Sequence, residues 1–373
     1  MGAEATSRLI PVSDVSAEDE ASWRDLAAAA IEPNPFFEPE FVIPAERFLS
    51  DASGVALAVC ERDGEWSSCL PLHIGRWRGP LRAAMALRTR YSFLGTPLVR
   101  PGDEAARIGE LLAAARKLTG ERRLAIERFH SGGRFGEALA PAIEAAGLIE
   151  VVSVTAERAV LRRREDGDYL SHFRSRRRRE MRRASRKLAE AIDQEPEIVD
   201  LSADPDVAEI FLALEGSGWK GREGTAMISE DADAAFFAEL CANYRTDGRL
   251  EVLCLRAVDD VIAMLVDLQS GNASFSVKMT YDESYSEFGP GSQLALGNLD
   301  HFHASGMAYM DSCAEPDNEM MNRLWPERMQ LQSIALVPIG PRGRLEQRIL
   351  GYLAEKRREK REKRWQAQRK SDT

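Results

Sequence analysis

The sequence predicts an α/β protein of two tandem, related domains, each with a mixed, largely antiparallel sheet flanked by helices. The first observation is an order of predicted elements that occurs twice: helices, an antiparallel run of strands, a helix and a strand. The second is the length of 373 residues, 44% of them hydrophobic, which supplies core material for two domains rather than one. We expect domains at residues 1–155 and 156–343 and a charged helical tail at 344–373.

The first half is punctuated by clear turn and stop signals. Asn34-Pro35 breaks a helix, Asp63-Gly64 is a two-residue hairpin turn, and Gly147 ends a helix. The predicted elements are, in order, helices at 18–30 and Pro39–Phe48, strands at 54–60 and 66–74, an extended segment at 91–99, a helix at 103–118, a strand at 124–129, a helix at 134–146 and a strand at 149–154.

The second half repeats this order with little residue identity. Short turns separate three strands, which precede a glycine-rich turn and a further helix. The predicted elements are a strand at 159–161, a helix at 168–191, a strand at 197–201, helices at Val207–Ser217 and 233–244, strands at Leu250–Ala257, 261–269 and 273–280, and a helix from residue 291 that leads to a strand ending at Asp311.

Bulk composition disfavours several classes of protein. Lysine and arginine total 50 against 60 aspartate and glutamate, so the net charge of −10 argues against a general nucleic-acid binder. Five cysteines without metal-finger spacing predict buried thiols in a reducing compartment, and we expect no metal. The N-terminal segment has no long apolar run, which predicts no signal peptide, no membrane span and a cytoplasmic protein.

The turn at Gly289, Pro290 and Gly291 stands directly before an apolar helical pattern. A helix that begins on glycine leaves its first N–H groups free, and its dipole favours an anion there. Ser292 and Gln293 follow without any acidic side chain that would repel a phosphate. We therefore predict that these five residues hold a phosphate-bearing cofactor; the alternative is a plain turn.

The run from Glu215 to Thr225 places a tryptophan and two cations among Gly218, Gly221 and Gly224. We predict that Glu215 acts as a base, that Lys220 and Arg222 neutralise an anion and that Trp219 stacks on a flat or apolar group. The alternative is a helix C-terminus that Gly218 ends, with exposed charges.

A third candidate set comprises Tyr281, Asp282 and Asp311. If the two strands that carry these residues are neighbours, both carboxylates lie at the same end of the sheet, where ligands of α/β proteins bind. Asp282 is then a candidate base, Tyr281 a candidate acid and Asp311 a substrate contact. The alternative for each acid is a turn or capping role.

One helix is strongly basic: nine of the fourteen residues from Arg174 to Lys187 are arginine or lysine. Leu170, Phe173 and Leu188 form part of a narrow apolar stripe, so the helix packs on something. RNA, an anionic membrane or a phosphorylated substrate or cofactor would suit it. The alternative is a solvated face that acids elsewhere balance.

Several of these runs together resemble the GNAT superfamily, in the branch associated with cellulose and other exopolysaccharide biosynthesis, which is related to the Fem-type peptidyltransferases. The resemblance rests on the basic helix at 169–188, the run at 215–225, Tyr281-Asp282 with the Gly289–Gly291 turn, Trp325 after Asp311, and the Asn34-Pro35-Phe36-Phe37 run. The chain departs from the commonest GNAT phosphate loop, which has several glycines after a basic residue or glutamine.

This resemblance implies tandem GNAT-like domains and acyl transfer from an acyl-CoA, with acetyl-CoA as the expected co-substrate and an amine or amino sugar as the acceptor. By position, Gly289 to Gln293 would lie at the cofactor pyrophosphate. Two alternatives stay open: Fem-like aminoacyl transfer from a charged tRNA, with the basic helix as the one expected RNA contact, and a non-catalytic scaffold that binds an anionic partner. The sequence does not define an oligomeric state.

Overall fold

The structure is a computed structural model that describes the backbone of residues 6–78, 81–171, 173, 175–257 and 260–371. Side chains are described for the same residues except 78, 175–178 and 357–371.

Among the described residues, the first half holds seven strands and four helices. They are β1 (Thr6–Pro11), α1 (Ala17–Ala29), α2 (Pro39–Phe48), β2 (Ala56–Arg62), β3 (Glu65–Arg78), β4 (Leu81–Ala86), β5 (Leu98–Val99), α3 (Glu104–Thr119), β6 (Leu124–His130), α4 (Arg134–Ala145) and β7 (Leu148–Arg162).

The second half repeats the helix, meander, helix and strand order. It contains α5 (Ser175–Ala191), β8 (Glu197–Asp200), α6 (Val207–Ser217), α7 (Trp219–Arg222), α8 (Asp231–Thr246), β9 (Leu250–Ala257), β10 (Asp260–Ser270), β11 (Ala273–Tyr281), α9 (Pro290–Ser305), β12 (Tyr309–Asp311), α10 (Glu319–Leu324), β13 (Glu327–Pro338) and α11 (Pro341–Ser371). A 3-10 helix at Glu283–Phe288 joins β11 to α9.

The thirteen strands that the structure describes form one sheet, in the order β1-β2-β3-β4-β6-β13-β7-β12-β11-β10-β9-β8, with β5 paired to β3. The two halves therefore meet at the long antiparallel pair β7 and β13. Each half receives the last strand of the other, because β13 pairs with β6 and β7 pairs with β12. This confirms the predicted fold class: a mixed α/β fold whose sheet is largely antiparallel and is flanked by helices.

Alternation along β10 shows how the second half is layered. Ala263 and Leu265 cluster with Leu188 of α5 and Leu294 of α9. Met264 and Val266 belong instead to the large core that also contains residues of α6 and α8. Because successive side chains of a strand point to opposite faces, α5 and α9 cover one face of this sheet and α6 and α8 cover the other.

The run from Asn34 to Phe37 binds the two halves together. Asn34 accepts a hydrogen bond from the Phe36 amide and donates to the Thr96 carbonyl at 2.8 Å, which fixes the turn. Phe36 packs edge-on against Phe275 of β11, with ring centroids 6.0 Å apart. Phe41 makes a similar contact with Phe236 of α8. The halves therefore share one aromatic core beneath β11.

Several element predictions were incomplete. Strands β4 and β13 and helix α10 were not predicted: β4 is rich in alanine, a weak strand former, a bulge interrupts the alternation of β13, and α10 has only six residues. The strands predicted at 149–154 and 159–161 form the single strand β7. The predicted helix at 168–191 begins at Ser175. Of the extended segment at 91–99, only Leu98–Val99 is a strand.

The predicted boundary near residue 155 falls inside β7, which belongs to the sheet of both halves. The division into residues 1–155, 156–343 and 344–373 stays a prediction. All five cysteines are buried and free, which confirms the predicted buried thiols.

Candidate functional site

The sheet opens between β11 and β12. The two strands pair in parallel only from Ala273 to Phe275, opposite Tyr309 to Asp311. A bulge follows in β11, where Val277 is the extra residue opposite Val266 and Asp267 of β10. Among the described residues, no strand pairs with the β12-facing edge of β11 from there to Tyr281. Its backbone groups are therefore available to an extended ligand.

Helix α9 begins beside the far end of this open edge. Gly289 caps the helix with φ 61° and ψ 51°. This left-handed backbone conformation favours glycine at this position. A Cβ added to Gly291 would lie 3.0 Å from Met279 Sδ, so helix and strand approach closely. The helix start predicted at the Gly-Pro-Gly turn is therefore confirmed.

The amides at this helix start are partly used within the helix. Pro290 has no N–H, and those of Ser292 and Gln293 donate to the Gly289 carbonyl at 3.0 and 3.1 Å. The Gln293 side chain donates to the Phe288 carbonyl. Among the described residues, the amide of Gly291 is the donor here for which we find no acceptor. A phosphate at this end would thus meet the helix dipole and one free amide.

Glu215 lies at the C-terminal end of α6 on the other face of the sheet, and its side chain is fully buried. Its carboxylate receives Lys220 Nζ at 2.9 Å, Lys278 Nζ at 3.0 Å and the Met227 amide at 2.9 Å. Burial alone would raise the pKa of Glu215, but Lys278, the Met227 amide and Lys220 outweigh it and lower this pKa. The carboxylate is therefore a fixed anion between two lysines.

Lys278, which the sequence analysis did not identify, stands at the bulge of β11 and joins Glu215 to the first half. Burial lowers its pKa below the ordinary lysine value, while Glu215 opposes this effect. Its ammonium lies 5.4 Å from the Tyr91 ring centroid. The sequence feature that could have identified it is a lysine between Val277 and Met279, in a strand predicted to be buried.

Tyr91 brings a second buried carboxylate to this cluster. Its hydroxyl donates to Asp233 Oδ2, which also pairs with Arg90 at 3.1 Å, and Asp233 Oδ1 has no hydrogen-bond partner among the described residues. Aromatic side chains from both halves line a narrow pocket beside Lys278, with a volume of about 10 Å³. They include Phe41 and Phe93. The polar cluster thus lies where the two halves meet.

Glu283 connects the two predicted motifs. It accepts a hydrogen bond from the Trp219 amide at 2.6 Å and pairs with Arg222. The bond from Arg222 and then that from Trp219 lower the pKa of Glu283. The Trp219 side chain is 48% exposed on the same short helix, α7, and Lys220 is held by Glu215. The run at 215–225 is therefore docked beside the loop that leads to α9. The acid that connects the two is Glu283, whereas the sequence pointed to the adjacent residue Asp282.

Asp282 caps the 3-10 helix, and its Oδ1 accepts the Ser284 amide at 2.8 Å. Tyr281, the last residue of β11, is exposed. Asp311 aligns with Phe275, seven residues before Asp282, which corresponds to about 20 Å along the strand. The expectation that Asp282 and Asp311 share one end of the sheet was wrong, because β12 is short and pairs only with the beginning of β11.

Asp311 is fully buried and pairs with Arg158 of β7, which is also fully buried. Its second oxygen accepts the Cys313 amide at 2.9 Å. Arg158 also donates to the Phe93 carbonyl at 2.6 Å. The structure therefore uses Asp311 to join β12, β7 and the first half, and its predicted contact with substrate stays untested.

Asp267 is a fully buried carboxyl group without a cationic partner. Its Oδ2 accepts Asn298 Nδ2 of α9 at 2.9 Å, while Asp267 Oδ1 and Asn298 Oδ1 have no partners among the described residues. Burial, with a further contribution from the charge of Glu251, raises the pKa of Asp267 to about 7. This acid faces α9 beside the bulge of β11.

We predict that Asp267→Asn stabilises the protein relative to the wild type by an amount that grows as pH rises toward 7 and is constant above it. The bound proton stabilises the folded state fully below the unfolded pKa of 3.8, and this stability is lost progressively as pH rises to the folded pKa of about 7. The loss should be roughly 2–4 kcal/mol. Thermal melts of wild type and variant between pH 5 and 8 measure it, and melting temperatures that stay parallel over this range would contradict it.

The basic helix α5 packs beside the start of α9. Leu188 is buried in a cluster with Leu294 of α9, and Tyr285 and Phe288 of the 3-10 helix pack against it. Arg182, Arg183 and Arg186 are among its exposed residues, whereas Arg174 lies outside the described residues. The predicted packing of this helix is confirmed, and its position supplies positive charge near the start of α9.

Two features are absent from the part of the chain that the structure describes. No group of three or more histidine, cysteine, aspartate or glutamate side chains there could hold a metal ion. Nor does that part of the chain contain a helix with the length and apolar character needed to cross a membrane.

Comparisons with known proteins agree with this architecture. Residues 175–319 match the acetyltransferase (GNAT) domain family. A crystal structure of FemX superposes with a TM-score of 0.59 at 10% identity, covering 84% of this chain and 95% of that one. The C-terminal domain of a putative lysylphosphatidylglycerol synthetase from Agrobacterium fabrum gives 0.52 at 14% identity, covering 88% and 95%.

A conserved protein of unknown function from Bacteroides thetaiotaomicron gives a TM-score of 0.54 at 15% identity, covering 86% of this chain and 97% of that one. No curated protein matches the sequence. At these identities the three structures show a shared fold. The match of residues 175–319 to the acetyltransferase (GNAT) domain family indicates that the protein is an acyltransferase.

Proposed function

We propose that the protein transfers an acyl group, most simply acetyl, from acyl-CoA to an amine or amino-sugar acceptor. The observation that carries this proposal is the open edge of β11, which runs from the bulge at Val277 to the start of α9. The six residues from Ser276 to Tyr281 span about 16 Å. An extended thioester donor would lie along it with its pyrophosphate at Gly289 to Gln293 and its acyl group at the bulge.

The acceptor would approach from the α6 and α8 face, between the two halves. Lys278 and Glu215 lie at the bulge, close to the proposed position of the acyl group. We assign the acceptor's proton to this pair: Lys278, whose pKa is lowered, accepts it directly or through water, and Glu215 stabilises the ammonium that forms. Asp282 and Tyr281 stand at the phosphate end, so we propose that they affect donor binding more than proton transfer.

Attack of the free amine on the thioester carbon creates a tetrahedral oxyanion. A backbone N–H on the open edge of β11 would stabilise it, because such a donor is fixed before the reaction begins. Collapse releases the CoA thiolate and the acylated acceptor. The exposed Trp219 with Lys220 and Arg222 is suited to the apolar face and the anionic groups of a sugar acceptor. The sequence resemblance supports an acceptor from exopolysaccharide biosynthesis, and the buried free thiols support a cytoplasmic reaction.

The donor site can be tested by Ser292→Glu. A carboxylate in the first turn of α9 interacts favourably with the helix dipole, so the melting temperature should stay the same or rise slightly. The same charge repels a pyrophosphate, and we expect at least about tenfold weaker acyl-CoA binding. Calorimetry with acetyl-CoA measures this, and Ser292→Ala is the neutral control.

Unchanged acyl-CoA affinity in Ser292→Glu would exclude the proposed pyrophosphate position. Absence of acyl-CoA binding to the wild type, together with no thiol release across a panel of amine and amino-sugar acceptors, would exclude the donor class itself.

Aminoacyl transfer from a charged tRNA is the second candidate function, and the position of α5 favours it. Exposed arginines of this helix lie beside the loop that leads to α9. RNA binding through such a surface would weaken steeply with added salt. If charged tRNA binds in this way while acyl-CoA does not bind, the second function replaces the first.

A further inference from the structure

Helix α11 carries an outward apolar stripe. Of the ten exposed large hydrophobic side chains among the described residues, five lie between residues 339 and 353. Leu345, Ile349 and Tyr352 recur at helical spacing, and each is between 51% and 59% exposed. Exposed apolar side chains are normally scattered singly, so this concentration on one helix face indicates a contact surface.

The stripe lies on a helix that is packed against the sheet. The opposite side of α11 is anchored, because Leu350 is buried against Val151, Val152 and Val337 of the central strands. Gly343 also lies against this sheet: a Cβ there would meet the Pro338 carbonyl oxygen at 2.3 Å. The helix is therefore held in one orientation, with Leu345, Ile349 and Tyr352 facing away from the protein.

Charge on the outward side is positive. Arg342, Arg344 and Arg348 are exposed beside the apolar stripe. The one acid of residues 341–353, Glu346, is turned to the body, where it pairs with Arg122 and Arg123 at 2.9 and 3.0 Å; it also lies 3.7 Å from Arg342. Residues 341–371 hold twelve arginines and lysines against four glutamates, although the whole chain is acidic.

We propose that this face of α11 binds the surface of an anionic membrane. Apolar side chains on a helix that also presents arginines match the pattern of interfacial helices, which insert apolar groups while the cations remain among lipid headgroups. Each basic residue near an anionic surface adds attraction that salt screens.

A second copy of the chain fits this face less well. A two-fold contact through the stripe would bring Arg344 and Arg348 of both copies together. Stable dimers bury about 800 Å² per partner, more than a few half-exposed side chains supply. Charge complementarity therefore favours lipid.

The test is co-sedimentation of the full chain with vesicles of phosphatidylcholine alone or mixed with phosphatidylglycerol. We expect binding to the mixed vesicles, little to the neutral ones, and at least about a fivefold loss of binding at 0.5 M salt. Leu345→Gln with Ile349→Gln should lower binding at least about tenfold and keep the wild-type melting temperature, since both side chains are exposed.

Ile74→Gln with Val154→Gln is the matched control, because both residues are exposed hydrophobics outside α11, and this variant should bind like the wild type. Equal sedimentation with neutral and anionic vesicles, or none with either, would overturn the proposal. So would a dimer in light scattering that the α11 variant dissociates while vesicle binding is absent.

Discussion

Replacing Glu215 with glutamine is expected to lower turnover by roughly 100-fold or more while acyl-CoA binding changes less than about twofold. The carboxylate is the shared partner of Lys220 and Lys278, and glutamine cannot neutralise either. Lys278 would then lose its counterion in a buried position. This loss disfavours the ammonium that forms when Lys278 takes the proton of the acceptor. Glu223→Gln, an exposed glutamate of the same segment, is the control.

Lys278→Arg separates proton transfer from simple charge. Arginine remains protonated at any working pH, so it keeps the pair with Glu215 but cannot accept a proton. If Lys278 is the proton acceptor, the arginine variant is inactive throughout, while kcat/KM of the wild type rises with pH at a midpoint below the ordinary lysine pKa. Activity restored by arginine would instead assign Lys278 a purely electrostatic role.

Asp282→Asn provides the comparison at the other end of the open edge. We expect weaker donor binding and a modest change in turnover, because Asp282 caps the 3-10 helix that precedes α9. If Glu215→Gln keeps full turnover and Asp282→Asn loses it, Asp282 is the base of the two that the sequence predicts, and the acyl group lies closer to α9. Full turnover in both variants would exclude both carboxylates as catalytic groups.

The residues that the sequence predicted best are those whose role is set by neighbouring residues. Gly289 and Pro290 define a helix start through backbone conformation alone, and the structure has that helix. Asn34 fixes its turn by a bond to Phe36, two residues away. Such local rules need no knowledge of the rest of the fold.

Residues whose role depends on strand pairing could not be predicted in the same way. Lys278 matters because a bulge places it opposite Glu215, 63 residues earlier in the chain. The exchange of β7 and β13 between the halves follows from tertiary pairing, and neither strand shows it in its own pattern. Glu283 was passed over for its neighbour Asp282, because two adjacent acids look alike until their partners are known.

Replacing Asp311 with asparagine is expected to destabilise the protein by roughly 3–5 kcal/mol, the second large effect. The substitution leaves the Arg158 guanidinium buried without its anion, in a position where 1% of its side chain is exposed. It also weakens the bond to the Cys313 amide. Because Arg158 spans β12, β7 and the Phe93 carbonyl, the loss should appear as cooperative unfolding of both halves in denaturant melts.

A double variant isolates the cause. Arg158→Met with Asp311→Leu removes both charges and keeps an apolar side chain at each position, so it should recover most of the stability that Asp311→Asn loses. If Asp311 contacts substrate instead, as the sequence suggested, Asp311→Asn would keep its stability and raise KM. The buried pair predicts the reverse: KM of the folded fraction stays near that of the wild type while the midpoint of unfolding falls.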